Sequence, residues 1–374
     1  MRDNAENTEI YREVLNFDEE KRAEWEKKRL PYAAQIEITP KCNLNCVHCY
    51  LQKCHNLQEM SLKQITDILD ILYEEGILFL TLTGGEIFTR IDFADIYMYA
   101  KKKGFLIELF TNGVLLDEEI INTLNEYPPL LVDISLYGAC EETYKTVTGV
   151  SGAFDKVIHN CRRLTEKNIR VSLKSPILQL TQNEIEDMKG LAEQLGITFA
   201  PSFEIIPATD SDMITRKYQL PSETCLRMEL EESEKKKSHS VEYEGRYKVI
   251  PEYIFQCKIG RNSFVIDYEG RMCPCMKMRH RGKKLTGNNF QEIWKSFEQY
   301  TTRKASEHYK CLKCKAREYC EICPAEMDML YGDFEERKEE DCIYYKAREL
   351  FYRKNRTADE AVRWYCREKV NYKE

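Results

Sequence analysis

The chain has 374 residues, enough for one large domain and a smaller one. Hydrophobic residues make up 43% and charged residues 32%, an ordinary globular composition, and no apolar run is long enough to cross a membrane. A formal net charge of −7 gives no general attraction to nucleic acid or to an anionic membrane, and neither is expected as a partner.

The polar, acidic stretch Met1–Asn7 carries no secretory signal, so a cytoplasmic location is expected. Sixteen cysteines in such a chain point to metal ligation in a reducing compartment rather than to a disulfide framework. Residues 1–30 read as a charged lead-in, helix-compatible over Phe17–Arg29, and a strand follows at Ala33–Thr39. Directly after it, residues 42–50 read Cys-Asn-Leu-Asn-Cys-Val-His-Cys-Tyr and bring Cys42, Cys46 and Cys49 into one loop. Closely spaced thiolates select zinc or an iron–sulfur cluster. A structural zinc wants four protein ligands, and His48, set between two of the cysteines, would have to turn back awkwardly to complete them. Three sulfurs without an evident fourth suit a four-iron cluster with one iron open. On this loop alone a zinc knuckle stands as the alternative.

A strand–helix alternation then begins. Helices are expected at Ser61–Glu75, Asp92–Lys103, Asp117–Glu126, Phe154–Lys167 and Gln182–Leu195. In the first, Ser61 and Gln64 form a capping-box pattern, and Ile65, Ile68, Leu69 and Leu72 share one face. Strands are expected at Ile77–Thr83, Phe105–Phe110, Leu131–Leu136, Ile169–Leu173 and Ile197–Ile206, each a short apolar run bounded by Gly, Pro or Asn. Six alternations over residues 31–230 predict an α/β fold, a parallel sheet curved into a partial (β/α)6 TIM barrel. Ligands gather at the C-terminal ends of such strands, where the Cys42–Cys49 loop leaves the first. The second strand ends in Thr83-Gly84-Gly85-Glu86; paired glycines permit close backbone approach, and a carboxylate there can hold an ammonium group.

Residues 231–248 are charged and weakly patterned and read as a linker. From 249 to 342 the rhythm stops and cysteine density rises, which marks a second, small domain. Residues 343–374 carry nine Lys or Arg against five Asp or Glu, interleaved with aromatics, and read as a packed helical tail.

The three-cysteine loop after strand one, followed by Gly-Gly-Glu after strand two, resembles the radical S-adenosylmethionine (SAM) enzymes. The resemblance implies a 4Fe–4S cluster on Cys42, Cys46 and Cys49 whose open iron is chelated by SAM, with Gly84, Gly85 and Glu86 at its methionine moiety. It also implies a ribose contact from Ser135 at the end of strand four and a polar contact from Asn112. Read from the residues alone, Ser135 equally suits a strand end bonded to its own backbone, and Asn112-Gly113 a plain turn. Cys257, Gly270 and Cys275, then Cys311-x2-Cys314-x5-Cys320-x2-Cys323, then Cys342, resemble the SPASM extension and its two auxiliary 4Fe–4S clusters. The resemblance gives Cys311, Cys314, Cys320 and Cys342 to an outer cluster and Cys257, Cys275 and Cys323 to an inner one. The fourth inner ligand is either Cys273 or absent, leaving an open iron.

The same resemblance implies reductive cleavage of SAM to a 5′-deoxyadenosyl radical that takes hydrogen from a substrate carbon. The stretches Leu82–Arg90, Leu109–Gly113, Ile134–Gly138 and Thr143–Phe154 look most like maturases of ribosomally made peptides (RiPPs), which install thioether or carbon–carbon crosslinks on a precursor. Sulfatase maturases typically carry an aspartate as base where this chain has Met276, which cannot take a proton. A small-molecule dehydrogenase is a further alternative, and a non-catalytic electron carrier is one from another class. Expected partners are a peptide precursor and a flavodoxin- or ferredoxin-type reductant; since about thirty residues precede the first strand, leader recognition would need a separate leader-binding protein or another surface.

Overall fold

The computed structural model describes residues 19–51, 57–206, 215–237 and 252–373. Helix α1 (Glu19–Lys28) leads into strand β1 (Ala33–Thr39). There follow α2 (Leu62–Glu74), β2 (Phe79–Gly84), α3 (Phe93–Lys102), β3 (Leu106–Thr111), α4 (Glu118–Glu126), β4 (Leu131–Ser135), α5 (Glu141–Thr148), α6 (Ala153–Glu166), β5 (Val171–Pro176), α7 (Ile185–Leu195) and β6 (Thr198–Ser202). Strands β1 to β6 are parallel and neighbour one another in chain order, as in a partial barrel. The two-residue period of each strand divides its side chains between the faces. Ile36, Ile38, Leu80, Leu82, Ile107, Leu109, Val132, Ile134 and Leu173 are buried in the core under the helices. Gln35, Glu37, Thr81, Glu108, Phe110, Asp133, Ser135, Ser172 and Lys174 occupy the alternate positions, on the concave face.

The expected capping box on α2 is present: the Ser61 hydroxyl accepts from Gln64 N, and the Gln64 side chain accepts from Ser61 N. Helix α5 was not anticipated, because its sequence EETYKTVT mixes β-branched residues with charge and ends in the left-handed Gly149. The last strand is shorter than the expected Ile197–Ile206. It is the sheet edge, and the chain leaves it after Ser202.

Past the barrel, two features differ from the sequence reading. The charged run assigned to a linker begins as helix, since α8 spans Ser222–Lys237; residues 238–251 lie outside the described residues. The cysteine-rich segment also does not start a separate sheet. Its strand β7 (Ser263–Ile266) pairs in parallel with β1, and β8 (Arg271–Cys273) and β9 (Lys283–Lys284) extend the same sheet in antiparallel fashion. Short helices α9 (Phe290–Ser296), α10 (Glu298–Thr301) and α11 (Pro324–Tyr331) follow, and then α12 (Glu339–Lys354) and α13 (Ala358–Lys373). Cys342 therefore lies in the first turn of α12, so the division between cluster segment and tail falls inside a helix. Leu226 and Leu230 of α8 pack with Ile343, Ala347, Phe351, Val362 and Tyr365, a small core that joins the first half of α8 to the tail.

Candidate active site

The loop carrying Cys42, Cys46 and Cys49 is held from both sides. Asn45 N donates to Thr148 O at 2.8 Å and Val47 N to Val147 O at 3.0 Å, so the C-terminus of α5 braces it. On the other side, Gly85 N donates to Thr39 O at 2.9 Å and Glu86 N to Lys41 O at 2.8 Å. This contact explains the paired glycines. A Cβ at Gly84 would stand 2.2 Å from Thr39 O, and one at Gly85 would stand 2.2 Å from Lys41 O. The glycines admit the backbone of the cysteine loop itself. Gly85→Ala is expected to destabilise the fold by about 3 kcal/mol or more, because backbone cannot yield to the new methyl. A chemical-denaturation midpoint reads this directly, and an unchanged midpoint would contradict the close approach.

Glu86 is fully buried. Its carboxylate accepts from Phe88 N at 3.1 Å, Thr111 Oγ1 at 2.7 Å and Asn112 N at 2.7 Å. Burial raises its pKa to about 7, with the three donors opposing. Its first duty in the fold is to tie the tip of β2 to the end of β3. Asn112, so positioned, donates through Nδ2 to Asn43 Oδ1 at 2.8 Å and towards Cys42 Sγ at 3.7 Å. Ser135 ends β4, and its carbonyl accepts from Tyr144. The Tyr137 phenol lies beside the Cys46 sulfur and Ser135, and its ring packs against His48 with centroids 5.3 Å apart. The expected residues around the loop, Gly84, Gly85, Glu86, Asn112 and Ser135, are thus gathered at one end of the barrel.

All fifteen described cysteines are free thiols; Cys54 lies outside the described residues. Burial raises Cys42 to about 12 and also raises Cys46, and each of these two lies in the field of Cys49. Buried sulfurs in such proximity are neutral until a cationic centre draws off their protons. Among the described residues no three His, Cys, Asp or Glu side chains close on one point as a single ion requires. A four-iron cluster spaces its sulfurs more widely, and the donor set fits it.

The distal cysteines fall into two groups. Cys311, Cys314, Cys320 and Cys342 line one recess, together with Tyr309, Arg317 and Arg337. Cys275 lies in the field of both Cys323 and Cys257, which are also neighbours of each other. Cys273 does not join them. Its buried thiol points towards Arg271 O at 3.4 Å and Arg279 O at 3.9 Å, among Asp267, Arg279 and Arg271. Of the two readings for the fourth inner ligand, this placement disfavours Cys273.

Several residues of the site went unremarked in the sequence. Lys174 pairs with Asp133, which also accepts from Ser172, and its ammonium lies 4.1 Å from the Phe110 ring centroid. Lys174 is the cross-strand neighbour of Ser135, and Glu108 that of Thr81. Burial raises the Glu108 pKa. Charged residues interrupting β-branched strands at every second position were the available signal.

A curved parallel sheet with a three-thiol loop at its C-terminal rim, followed by seven clustered cysteines, defines an iron–sulfur enzyme class. Residues 36–195 match the model of the radical SAM superfamily, and residues 257–324 that of the SPASM iron–sulfur cluster-binding domain. The chain belongs to the radical SAM superfamily and carries the SPASM extension, with 4Fe–4S clusters and SAM as its cofactors. It is 27% identical to the antilisterial bacteriocin subtilosin biosynthesis protein AlbA of Bacillus subtilis (strain 168), over 79% of this chain and 67% of that protein. It is 24% identical to the AdoMet-dependent heme synthase of Methanosarcina barkeri, over 82% of this chain and 95% of that protein. Among solved structures it resembles Streptococcus suis SuiB bound to precursor peptide SuiA, with a TM-score of 0.67 and 15% identity, over 84% of this chain and 77% of that one. No helix among the described residues is long and apolar enough to cross a membrane.

Proposed function

We propose that the chain modifies a ribosomally made peptide, installing a thioether or carbon–carbon crosslink or a related change. The observation that carries this reading is the AlbA likeness, which spans both the barrel and the cluster domain. The SuiB fold, solved with a precursor peptide, supports it. When bound, the cluster and SAM supply a 5′-deoxyadenosyl radical that takes hydrogen from a substrate carbon. Cys42, Cys46 and Cys49 would hold the SAM cluster; Cys311, Cys314, Cys320 and Cys342 the outer one; and Cys257, Cys275 and Cys323 the inner one, with one iron open. Asn112 and Ser135 would orient SAM. Met276 accepts from Gln35 Nε2 at 3.3 Å, so a thioether fills the place of the sulfatase-type base.

On the concave face Arg279 holds Glu37 and Lys174 holds Asp133, while Glu108, beside Thr81, feels Lys174 through its field and has no direct salt bridge among the described residues. We assign it to the substrate. Glu108→Gln is expected to lower product formation roughly tenfold or more, the worth of one charged hydrogen bond, while 5′-deoxyadenosine still forms. Equal product yields from variant and wild type would remove Glu108 from the site.

The reaction would run in the cytoplasm with a flavodoxin- or ferredoxin-type reductant. Co-expression with a candidate precursor, followed by mass spectrometry, tests the reading. A crosslink removes two hydrogens from the peptide. Turnover of a porphyrin in place of any peptide would favour the heme-synthase likeness instead.

A further inference from the structure

The run Lys277-Met278-Arg279-His280-Arg281 is strongly basic, and its cations are committed to carboxylates. Lys277 bonds Glu204, just past β6, and Glu326 of α11 at 2.7 Å. His280 and Arg281 both meet Asp328 of α11, with the His280 Nε2 and Arg281 Nε contacts each at 2.7 Å. Arg279 reaches back into the barrel and grips Glu37 of β1 with both terminal nitrogens, one at 2.6 Å. That pair is nearly sealed from water, with side-chain exposures of 5% and 0%. Tyr50 closes the arrangement: its hydroxyl donates to Glu37 Oε1 at 2.9 Å, and Arg279 stands 4.9 Å from its ring centroid.

The positions of these residues give the network its meaning. Tyr50 directly follows Cys49, Arg279 lies four residues after Cys275, and Glu326 and Asp328 lie just after Cys323. We propose that the turn Met276–Arg281 is a positioning element. Through the Arg279–Glu37–Tyr50 tie it locks the inner auxiliary-cluster ligands to the SAM-cluster loop and fixes the separation of the two centres. Glu37, Tyr50 and Arg279 act as positioning residues. The guanidinium fork suits the task, since two parallel bonds fix orientation as well as distance. The inference rests on the cluster assignment above for its meaning, but the tie itself can be tested without any cluster.

Removing one partner would strand a buried charge, so the informative variant is the double replacement Glu37→Leu/Arg279→Met, which removes both. Hydrogen–deuterium exchange on the purified chain is expected to show faster exchange at residues 41–50 and at 275–281 together, with α3 and α4 unchanged. Acceleration confined to 275–281, or spread evenly over the barrel, would overturn the tie. In the reconstituted protein, low-temperature EPR should show altered magnetic relaxation of the reduced SAM cluster by its neighbour, and product formed per SAM cleaved should fall roughly tenfold. Unchanged relaxation with all three clusters loaded would count against the fixed separation. Should the double variant fail to fold, Arg279→Lys keeps the charge and loses the fork, and is expected to shift both readouts in the same direction. A wild-type protein that forms no 5′-deoxyadenosine would overturn the functional reading and leave the exchange result standing.

Discussion

Cys42→Ala is expected to abolish SAM cleavage, with 5′-deoxyadenosine at background after anaerobic reconstitution and one cluster's iron missing. The variant should fold, because the loop is held by the Asn45 and Val47 amides donating to carbonyls at the end of α5 and by the Gly85 and Glu86 amides, not by the Cys42 side chain. What is lost is one of three sulfurs. Leu44 N at 3.4 Å and Asn112 Nδ2 at 3.7 Å point at that sulfur, a setting that favours its thiolate against the opposing effect of burial. With two thiolates left, a four-iron cluster has two unprotected corners and no defined vacancy for SAM. Iron content, the visible absorption of the cluster and chromatographic detection of 5′-deoxyadenosine measure the three parts of this expectation. Turnover comparable to wild type from a fully loaded Cys42→Ala protein would end the radical reading of the loop.

Cys320→Ala should separate cleavage from product. Its thiol belongs to the recess shared by Cys311, Cys314 and Cys342, whose lining includes no residue of the Cys42–Cys49 loop. Burial raises it to about 12, with the negative fields of Cys311 and Cys342 acting in the same direction, so metal is what makes it a thiolate. Removing it opens the outer cluster, and the expected outcome is loss of that cluster's iron with continued formation of 5′-deoxyadenosine but no modified peptide. Quantifying both products in one reaction is the check. Wild-type product yield would show that the outer recess plays no part in the chemistry.

Much of this arrangement could be read along the chain. Cys42, Cys46 and Cys49 are local in sequence, and so are Gly84, Gly85 and Glu86. Strand starts and helix faces also followed from short-range pattern, as the capping box at Ser61 and the buried Ile65, Ile68, Leu69 and Leu72 illustrate. Helix α5 escaped because Thr143, Thr146 and Val147 argue for strand, and tertiary contact with the cysteine loop outweighs that preference. The continuation of the sheet from β1 into β7 escaped because the two pair across more than two hundred residues, with nothing local to announce it.

The roles of individual polar residues divide along the same line. Sequence alone determined which residue types could hold clusters and SAM, because ligand chemistry and loop spacing are properties of short segments. Only the tertiary structure decided that Gly84 and Gly85 yield room to backbone, that Cys273 turns away from the inner group, and that Arg279 is buried against Glu37. Each depends on which distant strand lies alongside, and long-range packing sets that geometry where local pattern cannot.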